Sequence, residues 1–368
     1  MTLNARKFVL WAIMLAVPLV VLWAGIGIAS YWTIPRAPMQ VSGDAVIAFD
    51  SEIGFVPRPR SISRRTDVDA QGATIVSYNL FNDPRGARVS WPGEQSPARP
   101  DILIVGDSFA WGHGVENQDT FASRVASELG VPVTNISMGS YGTTHALQML
   151  QRNRDLAPKL VIYPFITDHL ERNVMPCARS YYPFCLDTSH VAWDGEGRAQ
   201  IAPPWSNGAR RVQLQVIADT SWLDPVTWFV HGLDVAYGRV LAAIGTATAA
   251  RADGAKREQA LEFLLAEMAK TAKSMGSRLM VVYLPQAAND TRAEQLFRST
   301  AKLNLPILDL SPAYQTYRAR PDARPLFIPK DGHPTVEAHA LIASEIAAFI
   351  RQHGLLGPGP ETATLKRQ

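Results

Sequence analysis

The chain has 368 residues, enough for one large α/β domain with accessories or at most two modest domains. Its 47% hydrophobic and 19% charged residues are those of an ordinary globular protein, which excludes wholesale disorder. The net charge is +3 and no Lys/Arg cluster is interleaved with aromatics, so nothing points to a nucleic-acid partner.

Arg6 and Lys7 precede a run from Phe8 to Trp32 that holds no charged side chain. As a helix this run spans about 37 Å at about 1.5 Å per residue, enough to cross a hydrocarbon core of about 30 Å. A cleavable signal has a shorter apolar core, about 7–15 residues, and a small-residue cleavage site. This run is longer and ends in Ser30-Tyr31-Trp32, which reads as an interfacial belt. The expectation is a single-pass anchor over 8–32, with residues 1–7 cytoplasmic and the rest of the chain periplasmic or extracellular. Residues 33–100, rich in Pro, Arg and Ser with short apolar runs such as Val46 to Phe49, read as a tether merging into a small β-rich accessory segment.

From Asp101 the pattern becomes α/β. The apolar run Ile102 to Val105 stops at Gly106 and reads as a buried strand. A helix is expected over Asp119–Leu129, a strand over Val131–Ile136, a helix over His145–Leu156 and a strand over Leu160–Phe165. Residues 169–257 are too long for an ordinary connection. They read as an insertion, either a substrate lid with a helix around Pro225–Ala250 or a structural excursion. The alternation resumes with a helix over Lys256–Met275, a strand over Arg278–Leu284, a helix over Ala293–Lys302, a strand over Pro306–Leu310 and a helix over Thr335–His353. The expected fold is a three-layer α/β sandwich with a mostly parallel sheet over 101–354, followed by a loose tail over 355–368.

Chemistry concentrates at the two ends of this run. Gly106-Asp107-Ser108 follows a buried strand, at the end of a parallel sheet where ligands bind. A serine hydroxyl is a weak nucleophile until a base takes its proton. The loop Pro329-Lys330-Asp331-Gly332-His333-Pro334 supplies a base and a carboxylate together, so that Asp331 can hold one imidazole nitrogen while the other faces Ser108.

These motifs resemble those of the SGNH/GDSL hydrolases over roughly Asp101 to His353. Gly106-Asp107-Ser108 with the following Gly112-His113-Gly114 matches the family's nucleophile block, and Asp331 with His333 its final block. The resemblance implies a cofactor-free serine esterase with Ser108, Asp331 and His333 catalytic. It also implies an oxyanion hole built from the N–H groups of Ser108 and Ser140, with Gly139 beside it. Thr167 stands where the family has an Asn that donates through its side chain. Its hydroxyl, Asn173 or the insertion is then the remaining source of a donor. Phe49 to Arg58 and Asn82 to Arg88 resemble a segment of membrane-anchored bacterial members, a setting tied to envelope or exopolysaccharide acyl chemistry. The implied substrate is an acylated small molecule or glycan, such as an O-acetyl polysaccharide, with envelope polysaccharide machinery as the partner. An O-acyltransferase using the same triad and a non-catalytic glycan-binding or assembly protein are the rival readings.

Other residues have two readings each. Asp107, Asp168 and His113 are candidates to line the pocket, although His113 also reads as a plain loop histidine. Asp168-His169 is an alternative dyad, and His339 reads as packing or surface. Cys177 and Cys185 frame an aromatic loop. They form a disulfide in an oxidising compartment or stay as two reduced structural thiols. No His, Asp, Glu or Cys set has metal-ligand spacing, and no glycine-rich phosphate loop is present.

Overall fold

The computed structural model describes residues 3–33, 39–69, 71–178, 186–204, 254–286 and 293–357, with isolated positions between 239 and 252. The helix predicted around Pro225–Ala250, Cys185 and most of the tail therefore lie outside the described residues. The chain opens with α1 (Leu3–Thr33), which contains Pro18 and most of whose described apolar side chains, among them Leu10, Trp11, Leu15, Leu19 and Leu22, are exposed. Among the described residues no helix is long and apolar enough to cross a membrane.

Five strands follow: β1 (Met39–Gly43), β2 (Ile47–Asp50), β3 (Gly54–Pro57), β4 (Ile62–Val68) and β5 (Thr74–Phe81). They form an antiparallel sheet in the order β1-β4-β5 and a separate β2–β3 hairpin. These strands agree with the β-rich segment expected here, but they are packed on the α/β part and do not hang from it as an accessory. Ile53, Phe55, Tyr78 and Leu80 are buried in the same apolar cluster as the central sheet, and Tyr141 donates its hydroxyl to the Phe55 carbonyl at 2.9 Å. The Pro/Arg/Ser composition hid the fact that these few large side chains point inward.

The α/β part runs β6 (Ile102–Ile104), α2 (Ser108–Trp111), α3 (Phe121–Leu129), β7 (Val133–Asn135), α4 (Thr143–Arg152), β8 (Leu160–Phe165) and α5 (His169–Arg172). Within the predicted insertion come the short strands β9 (Cys177–Ala178), β10 (Leu186–Asp187), β11 (His190–Trp193) and β12 (Ala199–Ala202), paired as two antiparallel ladders. The chain then continues through α6 (Gly254–Ser274), β13 (Arg278–Tyr283), α7 (Ala293–Lys302), β14 (Ile307–Asp309), α8 (Ser311–Arg318) and α9 (Val336–Gln352). Helix α8 was not expected from sequence. A proline near its first turn starts it, and only Tyr314 is buried along it, too little periodicity to read.

The central sheet has the order β14-β13-β8-β6-β7 and every pairing in it is parallel. Period-2 alternation divides its side chains between two cores. Leu103, Val161, Tyr163, Phe165, Val281 and Tyr283 face a cluster that contains α4 and α6 residues such as Leu150 and Leu264. Ile102, Ile104, Ile162, Met280 and Val282 face another that contains Phe121 and Val125 of α3 and Ile342 and Ile346 of α9. Both faces are thus covered by helices, as an all-parallel sheet requires. The chain leaves β6 toward β7 on one side and crosses back to β8 on the other. The carboxyl end of β6 is therefore a topological switch point, where α/β sheets bind ligands. Ser108 lies just beyond it.

Candidate active site

Ser108 opens α2 and is only 7% exposed. Asp107 caps this helix by accepting from the Phe109 N–H at 3.1 Å, and Gly112 ends it in the left-handed region at φ 86°. A side chain at Gly112 would place its Cβ 2.5 Å from Thr120 Cγ2 and 2.8 Å from Arg88 Nη1, so the turn needs glycine for space as well as for φ.

Arg88 explains that crowding. Its guanidinium is buried and donates to the carbonyls of Trp111, Gly112 and Val115 and to Asn117 Oδ1. Burial pulls its pKa down to about 10. One cation thus collects the carbonyls at the end of α2 and fixes the loop that carries Ser108. Sequence reasoning placed Arg88 in a family-like segment without a task. Its partners in the nucleophile loop lie more than 20 residues away along the chain, where no local pattern points.

The second loop is built as tightly. Ile328 N donates to the His333 carbonyl at 2.8 Å and Gly332 N to the Ile328 carbonyl at 2.9 Å. Lys330 and Gly332 both adopt positive φ, which closes the turn. Asp331 Oδ1 accepts from the backbone N–H of His333 at 3.1 Å and lies 2.7 Å from its Nδ1. His333 Nε2 lies 2.8 Å from Ser108 Oγ. The serine, the imidazole and the carboxylate therefore form one continuous hydrogen-bonded chain. Burial acts to raise the Asp331 pKa, but hydrogen bonds from His113 and His333 outweigh it and hold the carboxyl far below its usual range. Burial lowers the His333 pKa, with Asp331 partly opposing it. Near neutral pH the site thus holds an ionised carboxylate and a neutral imidazole that can accept the serine proton.

The other predicted residues are placed as follows. Gly139 and Ser140 are buried in the loop after β7, and Ser140 takes positive φ at 68°. That loop lies against the nucleophile turn, since Met138 N donates to the Gly106 carbonyl at 3.2 Å. The Thr167 hydroxyl donates to Gln286 Oε1 at 3.0 Å, while Gln286 Nε2 donates to Asp168 at 3.3 Å, which orients the amide. Thr167 therefore does not present a free proton to Ser108. Asn173 is also committed. Its Oδ1 accepts from Thr143 N at 2.7 Å at the start of α4, and its Nδ2 donates to Thr143 Oγ1 at 2.9 Å.

The structure separates the alternative readings of three histidines. His169 is not paired with Asp168. Its Nε2 lies 3.3 Å from Asp107 Oδ2 and its Nδ1 2.7 Å from the Tyr163 hydroxyl. Asp107 is fully buried; burial alone would raise its pKa, but the His169 hydrogen bond and nearby positive charge leave it lowered. Asp168 is partly exposed and lines a cavity with Ser140, Glu171 and Arg172. His339 is buried and accepts from Phe121 N at 3.1 Å, so it serves packing and capping. His113 is no plain loop histidine, because it is buried beside Asp331 with its ring centre 4.0 Å from that of His333 and tilted by 35°.

His113, Asp331 and His333 have donor atoms within 4.8 Å of one another, close enough for a cation. His333 uses both ring nitrogens, on Asp331 and on Ser108, while His113 Nε2 stands at ion-pair distance from Asp331. Cys177 is disulfide-bonded, and the sequence has one other cysteine, Cys185, outside the described residues.

No family model and no curated protein matches the chain. Among solved structures it is similar to a family two carbohydrate esterase from Clostridium thermocellum, in complex with cellohexaose, at 11% identity over 86% of this chain and 99% of that one, with a TM-score of 0.40. It is also similar to a GDSL-like lipase from Bacteroides thetaiotaomicron, at 11% identity over 68% of this chain and 88% of that one, with a TM-score of 0.35. An acetyl xylan esterase from the rumen bacterium Butyrivibrio proteoclasticus is similar at 12% identity over 72% of this chain and 66% of that one, with a TM-score of 0.37. The α/β fold with its parallel five-stranded sheet agrees with the SGNH/GDSL resemblance of the motifs.

Proposed function

We propose that this chain is a serine esterase whose acyl-enzyme forms on Ser108. The observation that carries this reading is the 2.8 Å contact of Ser108 Oγ with His333 Nε2, continued at 2.7 Å from His333 Nδ1 to Asp331. Ser108 Oγ attacks the acyl carbonyl while His333 takes its proton. Asp331 holds the imidazole tautomer and stabilises the imidazolium. His333 then gives the proton to the leaving alcohol, and water, activated by the same imidazole, releases the acid. Backbone N–H groups of Ser108 and Ser140 are the oxyanion donors of this mechanism. Loss of one such donor typically costs about 100- to 1,000-fold in rate.

The substrate class is an ester, in the narrower reading an O-acetyl group on an envelope or exopolysaccharide glycan. We further propose that residues 8–32 anchor the chain with the N-terminus cytoplasmic and the esterase domain periplasmic or extracellular. The exposed apolar side chains of α1 and the disulfide at Cys177 support that setting.

The test uses full-length protein in detergent with a fluorophosphonate probe and an aryl acetate. Wild type is expected to take label on Ser108 and hydrolyse the acetate, and Ser108→Ala to do neither. A folded wild type that takes no label would falsify the esterase reading. Acetate transferred to an added glycan in place of free acetate would redirect it to an acyltransferase.

A further inference from the structure

The contacts of His113 have no place in the three-residue mechanism. The chain brings this ring inward between Gly112 and Gly114, both at positive φ. A Cβ at Gly114 would lie 2.3 Å from Ile328 Cδ1, so the nucleophile loop packs directly on the loop that bears the base. His113 is 3% exposed. Its Nε2 lies 3.0 Å from Asp67 Oδ2 of β4 and 3.3 Å from Asp331 Oδ2. Its Nδ1 lies 3.0 Å from the Tyr78 hydroxyl of β5. Asp67 is itself held by Arg65 through two guanidinium nitrogens, at 2.9 and 3.0 Å. The polar groups facing this ring are therefore Asp67, backed by Arg65, from β4, Tyr78 from β5, and Asp331 and His333 from the base loop.

A bare nitrogen lone pair between two carboxylate oxygens would be repelled by both, so Nε2 carries the proton. His333 then holds Asp331 Oδ1, and the single Nε2–H of His113, shared between Asp67 Oδ2 at 3.0 Å and Asp331 Oδ2 at 3.3 Å, faces the other oxygen at ion-pair distance. A carboxylate held at one oxygen can swing about its last torsion, whereas one held at both cannot. The partly buried Oδ2 is also spared an unpaired negative charge.

We propose that His113 is a positioning residue for the triad, using its Nε2–H to hold the outer oxygen of Asp331 and, with Asp67, to tie the antiparallel β1-β4-β5 sheet to the catalytic base. This rests on the esterase reading. It makes the N-terminal segment part of the active-site framework and gives the second histidine of the site a defined task that involves no contact with substrate.

The test compares His113→Ala, His113→Gln and Asp67→Asn in full-length protein, by rate of fluorophosphonate labelling, by aryl acetate kinetics and by thermal unfolding. His113→Ala is expected to label about tenfold more slowly, the scale of one hydrogen bond to a charged group. The loss should fall in kcat with KM unchanged, since no substrate contact is removed. His113→Gln, which can place an amide N–H near the same oxygen, is expected to recover to within about threefold of wild type. A His113→Ala protein that labels at the wild-type rate, or a folded His113→Gln as slow as His113→Ala, overturns the proposal. Should His113→Ala not fold, Asp67→Asn carries the test, with about a threefold loss expected and an unchanged rate overturning it. A folded wild type that takes no label overturns the esterase reading and this inference with it. A labelling wild type with an indifferent His113→Ala overturns this inference alone.

Discussion

The two sides of Ser108 are built on different principles. On the base side, side chains meet side chains: His333 and Asp331 continue from the serine at 2.8 and 2.7 Å, with His113 and Asp67 behind them. On the oxyanion side, the side chains expected to donate are spent on neighbours, Thr167 on Gln286 and Asn173 on the start of α4. The donors proposed there are backbone N–H groups, that of Ser140 in a loop held to the nucleophile turn by the Met138–Gly106 hydrogen bond. A side-chain half needs particular residues. A backbone half needs only a particular path, which many sequences can follow. Departures from a family pattern at Ser140 and Thr167 therefore weigh less than a departure at Asp331 would.

The largest effect should come from the base side. Asp331→Asn removes the charge that stabilises imidazolium and puts an amide where two N–H donors converge. A rate loss of roughly 10^4-fold is expected, read as kcat/KM on an aryl acetate. A loss below tenfold would show that His333 is oriented by something else.

Arg88 tests whether the nucleophile loop depends on its buried cation. Arg88→Met leaves the carbonyls of Trp111, Gly112 and Val115 without that donor. A stability loss of about 3 kcal/mol is expected in chemical denaturation. An unchanged midpoint would mean that the loop holds itself.

The two sides share one weakness toward acid. His145, on the oxyanion side, accepts from Gly142 N, and His339, behind the nucleophile loop, accepts from Phe121 N. Burial pushes both pKa values down to about 3, while the unfolded chain titrates near 6.5. Between these values the unfolded chain takes up protons that the folded one refuses, so stability falls as pH drops from about 6.5 toward 3. Tm measured across that window should decline steadily. A flat Tm would show that both rings protonate without leaving their places.

The smallest effect is expected at Thr167. Thr167→Val deletes a hydroxyl that faces Gln286, so activity should change less than about threefold. A loss of 100-fold or more, the scale of a missing oxyanion donor, would move Thr167 back into the reacting site and dissolve the contrast between the two halves.

What was legible in the sequence follows the same division. A serine at the end of an apolar strand and an Asp/His pair on one turn are local patterns, and each proved to sit on the element expected. The strand Leu160–Phe165 and the helix Ala293–Lys302 have the bounds their patterns gave. The strand after α3 was read too long, because only Val133 to Asn135 pair with β6. Asp67 and Arg88 were not legible, and His113 only as a pocket candidate without a task, because their meaning lies in partners brought together only by the fold. A buried arginine that binds carbonyl groups leaves no acidic partner in sequence to betray it. The β-rich character of 33–100 was legible, but its polar average concealed the inward-facing Phe55, Tyr78 and Leu80.

The nucleophile and its base stand 225 residues apart in the chain. At about 5–20 residues per second of synthesis, roughly 11–45 s separate the making of Ser108 from that of His333. Throughout that interval the nascent polypeptide carries a serine with no base to arm it. A chain that stalls or is cut before Asp331 is chemically silent, however well its first strands have folded. On the proposed reading, reactivity toward esters is thus one of the last properties the chain acquires during its synthesis.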